Sequence, residues 1–147
     1  MIKFATFFDV NDILKFVKTF YYQTRYAKAA EFDEDSVKVL VEDLIRTGIL
    51  LVSYHEYQMV GIFGAVIRPN LFNNNEKSCH EVIWYVDPEH QKSGLGLQLI
   101  KRADQIRTLR GCSTFQMVRL ACSPEHLDKV FVNLGFEPSE YCFTKVN

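Results

Sequence analysis

Gln91-Lys92-Ser93-Gly94-Leu95-Gly96 is the most informative stretch of this chain. It follows a strand-like run over residues 82–86 and precedes a helical pattern of apolar side chains at Leu99, Ile100, Ala103 and Ile106. Glycines let a backbone approach a phosphate closely, and the free N–H groups and dipole of a helix N-terminus favour negative charge. The stretch therefore predicts an anion-binding turn, with a plain turn before a surface helix as the alternative.

Two common phosphate-binding loops do not match this turn. A P-loop ends in Gly-Lys-Ser/Thr, whereas Gly96 is followed by Leu97 and Gln98. A dinucleotide-binding fingerprint has a third glycine, and Leu99 occupies that position here. The sequence therefore indicates neither a P-loop nor a dinucleotide site.

The turn and its surroundings resemble the acyl-CoA signature of the GCN5-related N-acetyltransferase (GNAT) superfamily. That signature is Q/R-x-x-G-x-G/A after a strand ending in V-x-P, which here reads Val86-Asp87-Pro88 followed by residues 91–96. A second match is Phe131-Val132-Asn133-Leu134-Gly135-Phe136, which is similar to the family's Y-x-x-L-G-F. The pattern E-x-x-W-Y-V-x-P-E, starting at Glu81, is also similar to small acetyltransferase-like proteins from phages.

The resemblance implies an acyl-CoA-dependent N-acyltransferase that transfers an acetyl group from acetyl-CoA, its acyl donor, to a primary amine. The amine would attack directly in a ternary complex, without a metal. The backbone of the turn would hold the pyrophosphate, and main-chain groups at the preceding strand end would align the pantetheine arm. By resemblance, the residues that bind the cofactor are Tyr85, Val86, Gln91, Lys92, Ser93, Gly94, Leu95, Gly96, Leu97 and Phe131.

The catalytic base is expected on the strand before the turn, where the family often carries an acidic residue. Glu81 and His80 are the two candidates, and adjacent strand residues face opposite sides of a sheet. A bulge would exchange their facing, so both remain open. A solvated carboxylate and a surface imidazole are the alternatives without catalytic roles.

The main departure from the family pattern is Phe131, because many relatives carry a tyrosine there whose phenol protonates the leaving thiolate. This raises a second function, a non-catalytic module that keeps the fold and binds CoA or a host protein. The acceptor, a small molecule or a protein, is not identified by the sequence. Aromatic and acidic residues precede and begin the second helix, at Tyr21, Tyr22, Tyr26, Glu31, Asp33, Glu34 and Asp35. They would suit a cationic amine, with a solvated helix start, where acidic residues complement the helix dipole, as the alternative.

Composition indicates an ordinary globular protein, and residues 1–147 are predicted to form one domain. The net charge of −1 gives no indication of a nucleic-acid partner, and no apolar stretch is long enough to span a membrane. The four cysteines, at positions 79, 112, 122 and 142, form no C-x-x-C pair. Their apolar neighbours predict reduced, mostly buried thiols in a cytoplasmic protein.

The pattern of apolar residues predicts the element order β-α-α-β-β-β-α-β-α-β. The predicted strands cover residues 2–6, 49–54, 59–67, 79–86, 115–121 and 141–146, and residues 68–77 are predicted as a loop. Helices are predicted after Asp9 and Asp33, from the turn to Arg110, and after Ser123. Strands that alternate with helices indicate an α/β fold, a mixed central sheet with helices on both faces, as in the GNAT fold.

Overall fold

The computed structural model describes residues 1–147, which form a five-stranded mixed sheet with helices on both faces. The strands are β1 (Ile2–Phe4), β2 (Ile49–His55), β3 (Gln58–Asn70), β4 (Asn73–Val86) and β5 (Cys112–Gln116), in the spatial order β1-β2-β3-β4-β5. The helices are α1 (Val10–Tyr21), α2 (Glu34–Thr47), α3 (Leu95–Leu109) and α4 (Leu127–Asn133). Neighbouring strands are antiparallel except for β4 and β5, which are parallel. The predicted class of fold is therefore confirmed.

Alternating residues of the central strands bury side chains on both faces of the sheet. On one face, α1 and α2 contribute to a cluster with Leu50, Val52 and Ile62. On the other face, α3 packs on Leu51 and Phe63. Cys79 and Cys112 are buried, whereas Cys122 and Cys142 are exposed, so the prediction of buried thiols holds for two of the four. Because both faces are covered, β2 and β3 read as nearly continuous apolar runs.

The segment predicted as a loop at residues 68–77 is instead the end of a long hairpin, so that prediction was wrong. β3 and β4 continue to a turn at Leu71 and Phe72, two exposed residues. The Asn70 side chain accepts a hydrogen bond of 2.9 Å from the Phe72 N–H, and the Asn73 side chain accepts one from the Asn75 N–H. Asparagines that stabilise a tight turn give the same polar composition as an unstructured loop.

The C-terminal strand predicted at residues 141–146 is absent, so the observed element order ends with α4. Residues 137–147 are all exposed and make no backbone–backbone hydrogen bond. β5 also ends earlier than predicted, at Gln116, and α4 begins at Leu127 rather than directly after Ser123. Alternating aromatic residues are typical of a strand, but this segment has no neighbouring strand to which its backbone hydrogen-bonds, so it does not form one.

β4 and β5 pair over a short length and then separate. Their register runs from Lys77 opposite Cys112 to His80 opposite Gln116, and no pairing follows. β4 continues to Val86 along β3, so its other edge has no strand neighbour beyond His80. The separation of β4 and β5 opens a gap in the sheet, and the candidate site lies in this gap.

Candidate active site

The predicted anion-binding turn is a short 3₁₀ helix that leads directly into α3. The 3₁₀ helix covers Pro88–Ser93, and the side chain of Asp87 accepts a hydrogen bond of 3.0 Å from the Glu89 N–H. Gly94 follows with φ +82°, in the left-handed region, and no atom lies within 4 Å of the position that a Cβ would take. Gly94 therefore makes the change of direction possible and leaves the turn open above its backbone.

The backbone of this turn presents N–H groups to the outside. The Gly94 N–H has no acceptor in the protein, and those of Gly96 and Leu97 lie in the first helical turn, where the helix supplies no acceptor. The Leu95 N–H reaches the Ser93 hydroxyl at 3.3 Å. No acidic residue lies in the first turn of α3, and the exposed Lys92 precedes it. The turn can therefore hold a phosphate group by backbone hydrogen bonds and the helix dipole.

Gly96 has a second role, because its backbone packs on the indole of Trp84. A Cβ at this position would lie 3.1 Å from Cζ2 of Trp84, which is closer than ordinary van der Waals contact. The Trp84 Nε1–H donates a hydrogen bond of 3.0 Å to the Gly96 carbonyl. The second glycine of the motif thus fixes the start of α3 against the end of β4.

The end of β4 exposes main-chain groups to the gap. The Asp87 N–H donates a hydrogen bond to the Val60 carbonyl of β3. Because the N–H and C=O groups of successive residues point to alternate sides of an antiparallel strand, those of Val86 point away from β3. The Gln91 side chain donates a hydrogen bond of 3.0 Å to the Val86 carbonyl and joins the turn to the strand end. The Val86 N–H faces the open edge of β4.

Tyr85 lies on the other face of the sheet, away from the turn. Its ring centroid is 5.1 Å from those of Phe16 and Phe20, and its hydroxyl accepts a hydrogen bond of 3.3 Å from the Gln23 side chain. The side chain of Tyr85 is therefore part of the core beneath α1, and Val86 is the residue whose main chain faces the gap.

A β-bulge decides how the two candidate bases are oriented. His80 pairs with Val66 and Glu81 with Ala65, but the next partner, Gly64, pairs with Ile83. Val82 is therefore the extra residue of the bulge, and the facing of the strand reverses there. Glu81 and His80 still point to opposite faces, as predicted from alternation, and only Glu81 reaches the gap.

The Glu81 carboxylate is held in the gap by the chain that follows β5. Its Oε2 accepts a hydrogen bond of 3.1 Å from the Val118 N–H. Burial raises the pKa of Glu81 to about 7, against a smaller lowering effect of that hydrogen bond. A carboxyl group with this pKa can accept a proton near neutral pH. Burial and the nearby Arg68 lower the pKa of His80, and His80 does not line the gap.

A cleft of about 280 Å³ passes through the gap between β4 and β5. Six of its nine lining residues have aliphatic or aromatic side chains without a hydroxyl or charged group: Phe20, Val82, Trp84, Val118, Leu120 and Leu127. The others are Tyr26, Glu81 and Ser123. Trp84 packs on the cluster beneath α3 and Phe20 on the cluster beneath α1 and α2. The cleft therefore connects the two faces of the sheet, with the predicted anion-binding turn on one side.

Phe131 does not line the cleft and belongs to an aromatic cluster behind it. Its ring centroid is 5.8 Å from Trp84 and 5.9 Å from Phe136. The phenol that does line the cleft is that of Tyr26, in the 3₁₀ helix Arg25–Lys28. Burial, and then the charge of Glu81, raise the pKa of Tyr26, so its hydroxyl stays protonated.

Several lining residues could not be identified from the sequence as parts of a site. Val118 and Leu120 lie in the irregular chain after β5, which was predicted as strand, and Phe20 belongs to the regular apolar stripe of α1. Nothing in their local pattern indicates a cleft.

The structure contains no group of three or more His, Cys, Asp or Glu side chains that could hold a metal ion. Its helices are each too short or too polar to cross a bilayer.

Comparison with known proteins gives a consistent result. The model of the Acetyltransferase (GNAT) family matches residues 10–136. A Trypanosoma brucei acetyltransferase has a TM-score of 0.74 and 20% identity, with 99% of this chain and 97% of that chain covered. An aminoglycoside antibiotic 6'-N-acetyltransferase from Acinetobacter haemolyticus has a TM-score of 0.69 and 23% identity, with coverage of 100% and 99%. An aminoglycoside N-acetyltransferase in complex with CoA has a TM-score of 0.75 and 18% identity, with coverage of 100% and 93%. Such identities show the fold alone, and no curated protein matches the sequence.

Proposed function

Because the chain belongs to the acetyltransferase (GNAT) family, we propose that it is an N-acyltransferase that transfers an acetyl group from acetyl-CoA to a primary amine. The observation that carries the proposal is the cleft through the sheet, with a phosphate-binding turn at one side and the Glu81 carboxylate in the gap. This arrangement allows donor and acceptor to meet from opposite faces. It supports direct attack in a ternary complex over a route through a covalent enzyme intermediate.

The donor would bind along the open edge of β4. The N–H groups of Gly94, Gly96 and Leu97 would hold the pyrophosphate, with Lys92 adding positive charge. The pantetheine arm would take the place that β5 leaves free, since amide groups of an extended ligand can add to an exposed strand edge. The Val86 N–H would then lie beside the thioester and stabilise negative charge on its carbonyl oxygen.

Glu81 would act as the general base. Its carboxylate takes a proton from the acceptor ammonium, and the amine lone pair then attacks the thioester carbonyl carbon. The new C–N bond forms, the C–S bond breaks, and the thiolate of CoA leaves and takes up a proton. Thiols are far more acidic than alcohols, with the cysteine thiol at a pKa of about 8.5, so a thiolate can leave without a strong acid. This would allow activity without a phenol at position 131, and Tyr26 is the phenol in the lining of the cleft that would supply the proton.

Calorimetry tests the donor side of this proposal. Acetyl-CoA should bind, and S-acetylpantetheine, which lacks the pyrophosphate and the nucleotide, should bind at least about 10-fold more weakly if the turn holds the pyrophosphate. Absence of acetyl-CoA binding at millimolar concentration would contradict the proposal.

We also propose that the protein works in a reducing compartment such as the cytoplasm, because its four cysteines are free thiols.

A non-catalytic binding module is the second candidate, and the replacement of the usual tyrosine by Phe131 favours it. Phe131 is held by two aromatic neighbours and offers no proton. Incubation with labelled acetyl-CoA and a cell lysate separates the two candidates. Label on a lysate component supports the enzyme, provided that it is lost when the phosphate-binding turn is mutated. Stable recovery of one partner without label supports the binding module.

A further inference from the structure

The walls of the cleft carry information about the acceptor amine. We infer that the acceptor is a small monoamine with an apolar body, and not a polyamine or another polycation. The inference rests on the proposed function and concerns the same cleft. Its basis is the number of charges in the cleft, their surroundings and the available volume.

The cleft holds one carboxylate and no lysine or arginine. Glu81 is the only acidic residue in its lining, and the remaining polar groups are the hydroxyls of Tyr26 and Ser123. One carboxylate balances one ammonium group. A second ammonium group in the same cleft would lose part of its hydration without gaining a counter-charge, which is unfavourable.

The acidic residues that would suit a polycation lie elsewhere. Glu31, Glu34 and Asp35 are exposed and do not line the cleft. The Asp33 side chain accepts hydrogen bonds from the backbone N–H and the hydroxyl of Ser36, so it caps α2. Of the two interpretations of this acidic run, contact with a cationic acceptor finds no support in the lining of the cleft, and the solvated helix start fits the structure.

The volume of the cleft favours a small acceptor. About 280 Å³ is just below the range of small-molecule sites, which is about 300–1,000 Å³. The acetyl group and the end of the pantetheine arm must share this space with the acceptor. What remains is lined by Phe20, Val82, Leu120 and the ring of Tyr26, which suit an alkyl or phenylalkyl body.

Two amines that differ in one charge test the inference. Butylamine and 1,4-diaminobutane have the same carbon chain, and only the diamine carries a second ammonium group. With acetyl-CoA as donor, kcat/KM should be at least about 30-fold higher for butylamine. It should be higher again, by about 10-fold, for 2-phenylethylamine, which buries more apolar surface. The acetylated amine should be measured by mass spectrometry, because Cys122 and Cys142 are exposed and would react with thiol reagents.

A matched pair of variants keeps the test specific. Leu120→Asp places a second carboxylate in the lining, and Leu120→Asn places an uncharged side chain of the same shape there. The aspartate variant should reduce the preference for butylamine over the diamine by at least about 5-fold, and the asparagine variant should leave it nearly unchanged.

The outcomes separate this inference from the function on which it rests. If acetyl-CoA binds but the diamine, spermidine or a lysine-containing peptide is acetylated as well as butylamine or better, the inference is overturned and the enzyme stands. Binding of acetyl-CoA without turnover of any of these amines also overturns it and favours the non-catalytic candidate. If acetyl-CoA does not bind, the proposed function itself fails.

Discussion

Gly96 and Trp84 are in contact through both backbone and side chain: the indole N–H donates a hydrogen bond to the Gly96 carbonyl at 3.0 Å, and Cζ2 of the ring lies 3.1 Å from the position that a Cβ would take. One residue belongs to the predicted anion-binding turn and the other to the end of β4. Because the indole is fixed by this hydrogen bond, it cannot move aside easily. The position of α3 relative to the strand is therefore set at this contact.

Gly96→Ala is expected to destabilise the fold. The new methyl group would press on Trp84, and overpacking of this kind costs about 1–3 kcal/mol, offset by up to about 1 kcal/mol of helix propensity. Urea unfolding measures the difference. In a Trp84→Phe background, where the crowded ring atom is absent, the same substitution should cost less; an equal cost in both backgrounds would contradict the role given to this contact.

Gly94→Glu is expected to reduce acetyl-CoA affinity by more than about 100-fold, because a carboxylate would enter the open space that we propose for the pyrophosphate. Gly111→Glu is a matched control at the other end of α3. Gly111 also has a left-handed φ, +76°, and open space at its Cβ, so the backbone strain is comparable. Calorimetry should show normal binding for the control, and equal losses in both variants would point to strain alone.

Glu81→Gln is expected to lower kcat by about 10²–10⁴-fold and to leave the Kd for acetyl-CoA nearly unchanged. In the parent protein the rate should rise with pH through about 7, where the Glu81 carboxyl loses its proton, and the variant should lack this rise. His80→Gln is the neighbouring control, since its side chain does not line the cleft. A large loss in the His80 variant with normal activity of the Glu81 variant would reverse the assignment.

Asp9→Asn is expected to cost about 1–3 kcal/mol of unfolding free energy. Asp9 is buried and accepts hydrogen bonds from Lys3 at 2.8 Å, from the Thr6 N–H and from the Tyr54 hydroxyl. Burial alone would raise the pKa of Asp9, but these bonds outweigh it and hold the pKa below its usual value. The stabilisation is therefore present above the ordinary aspartate pKa of about 3.9 and is lost as pH falls through the lower, folded-state value.

The measurement for Asp9 is thermal or urea unfolding between pH 7 and pH 2. The difference between the parent and the Asp9→Asn variant should shrink toward the acidic end. Asp12→Asn is the matched control, because Asp12 is exposed and also accepts from Tyr54, at 3.2 Å, but lacks the other bonds. A difference that stays constant over the whole pH range would exclude the proposed linkage.

The elements with strong local signals were predictable from sequence. The apolar stripe of α1, the Asp33 cap of α2 and the turn at Gly94 each follow from local spacing and backbone chemistry. The hairpin at Leu71 and the irregular segment after α4 were predicted wrongly, because asparagine-rich turns resemble loops and alternating aromatic residues resemble strands. Whether each segment forms a strand depends on pairing with a neighbouring strand, and the local composition gives no information about that pairing.

The candidate site was predictable in part. Alternation predicted that Glu81 and His80 face opposite sides, but which of them reaches the cleft depends on the bulge at Val82 and on where β5 departs. The contribution of Tyr26 depends on a 3₁₀ helix within a predicted connection. Long-range packing sets each of these features. The roles of the site residues, the resemblance to phage proteins and the single domain over residues 1–147 remain predictions.

The irregular segment over residues 137–147 has a practical consequence for handling the protein. Because these residues are exposed and make no backbone–backbone hydrogen bond, a protease should trim them while the sheet and helices stay intact. The opposite end of the chain differs, since β1 begins at Ile2 and pairs with β2. An affinity tag after Asn147 would therefore be lost together with this segment, whereas a tag before Met1 would adjoin a paired edge strand of the sheet.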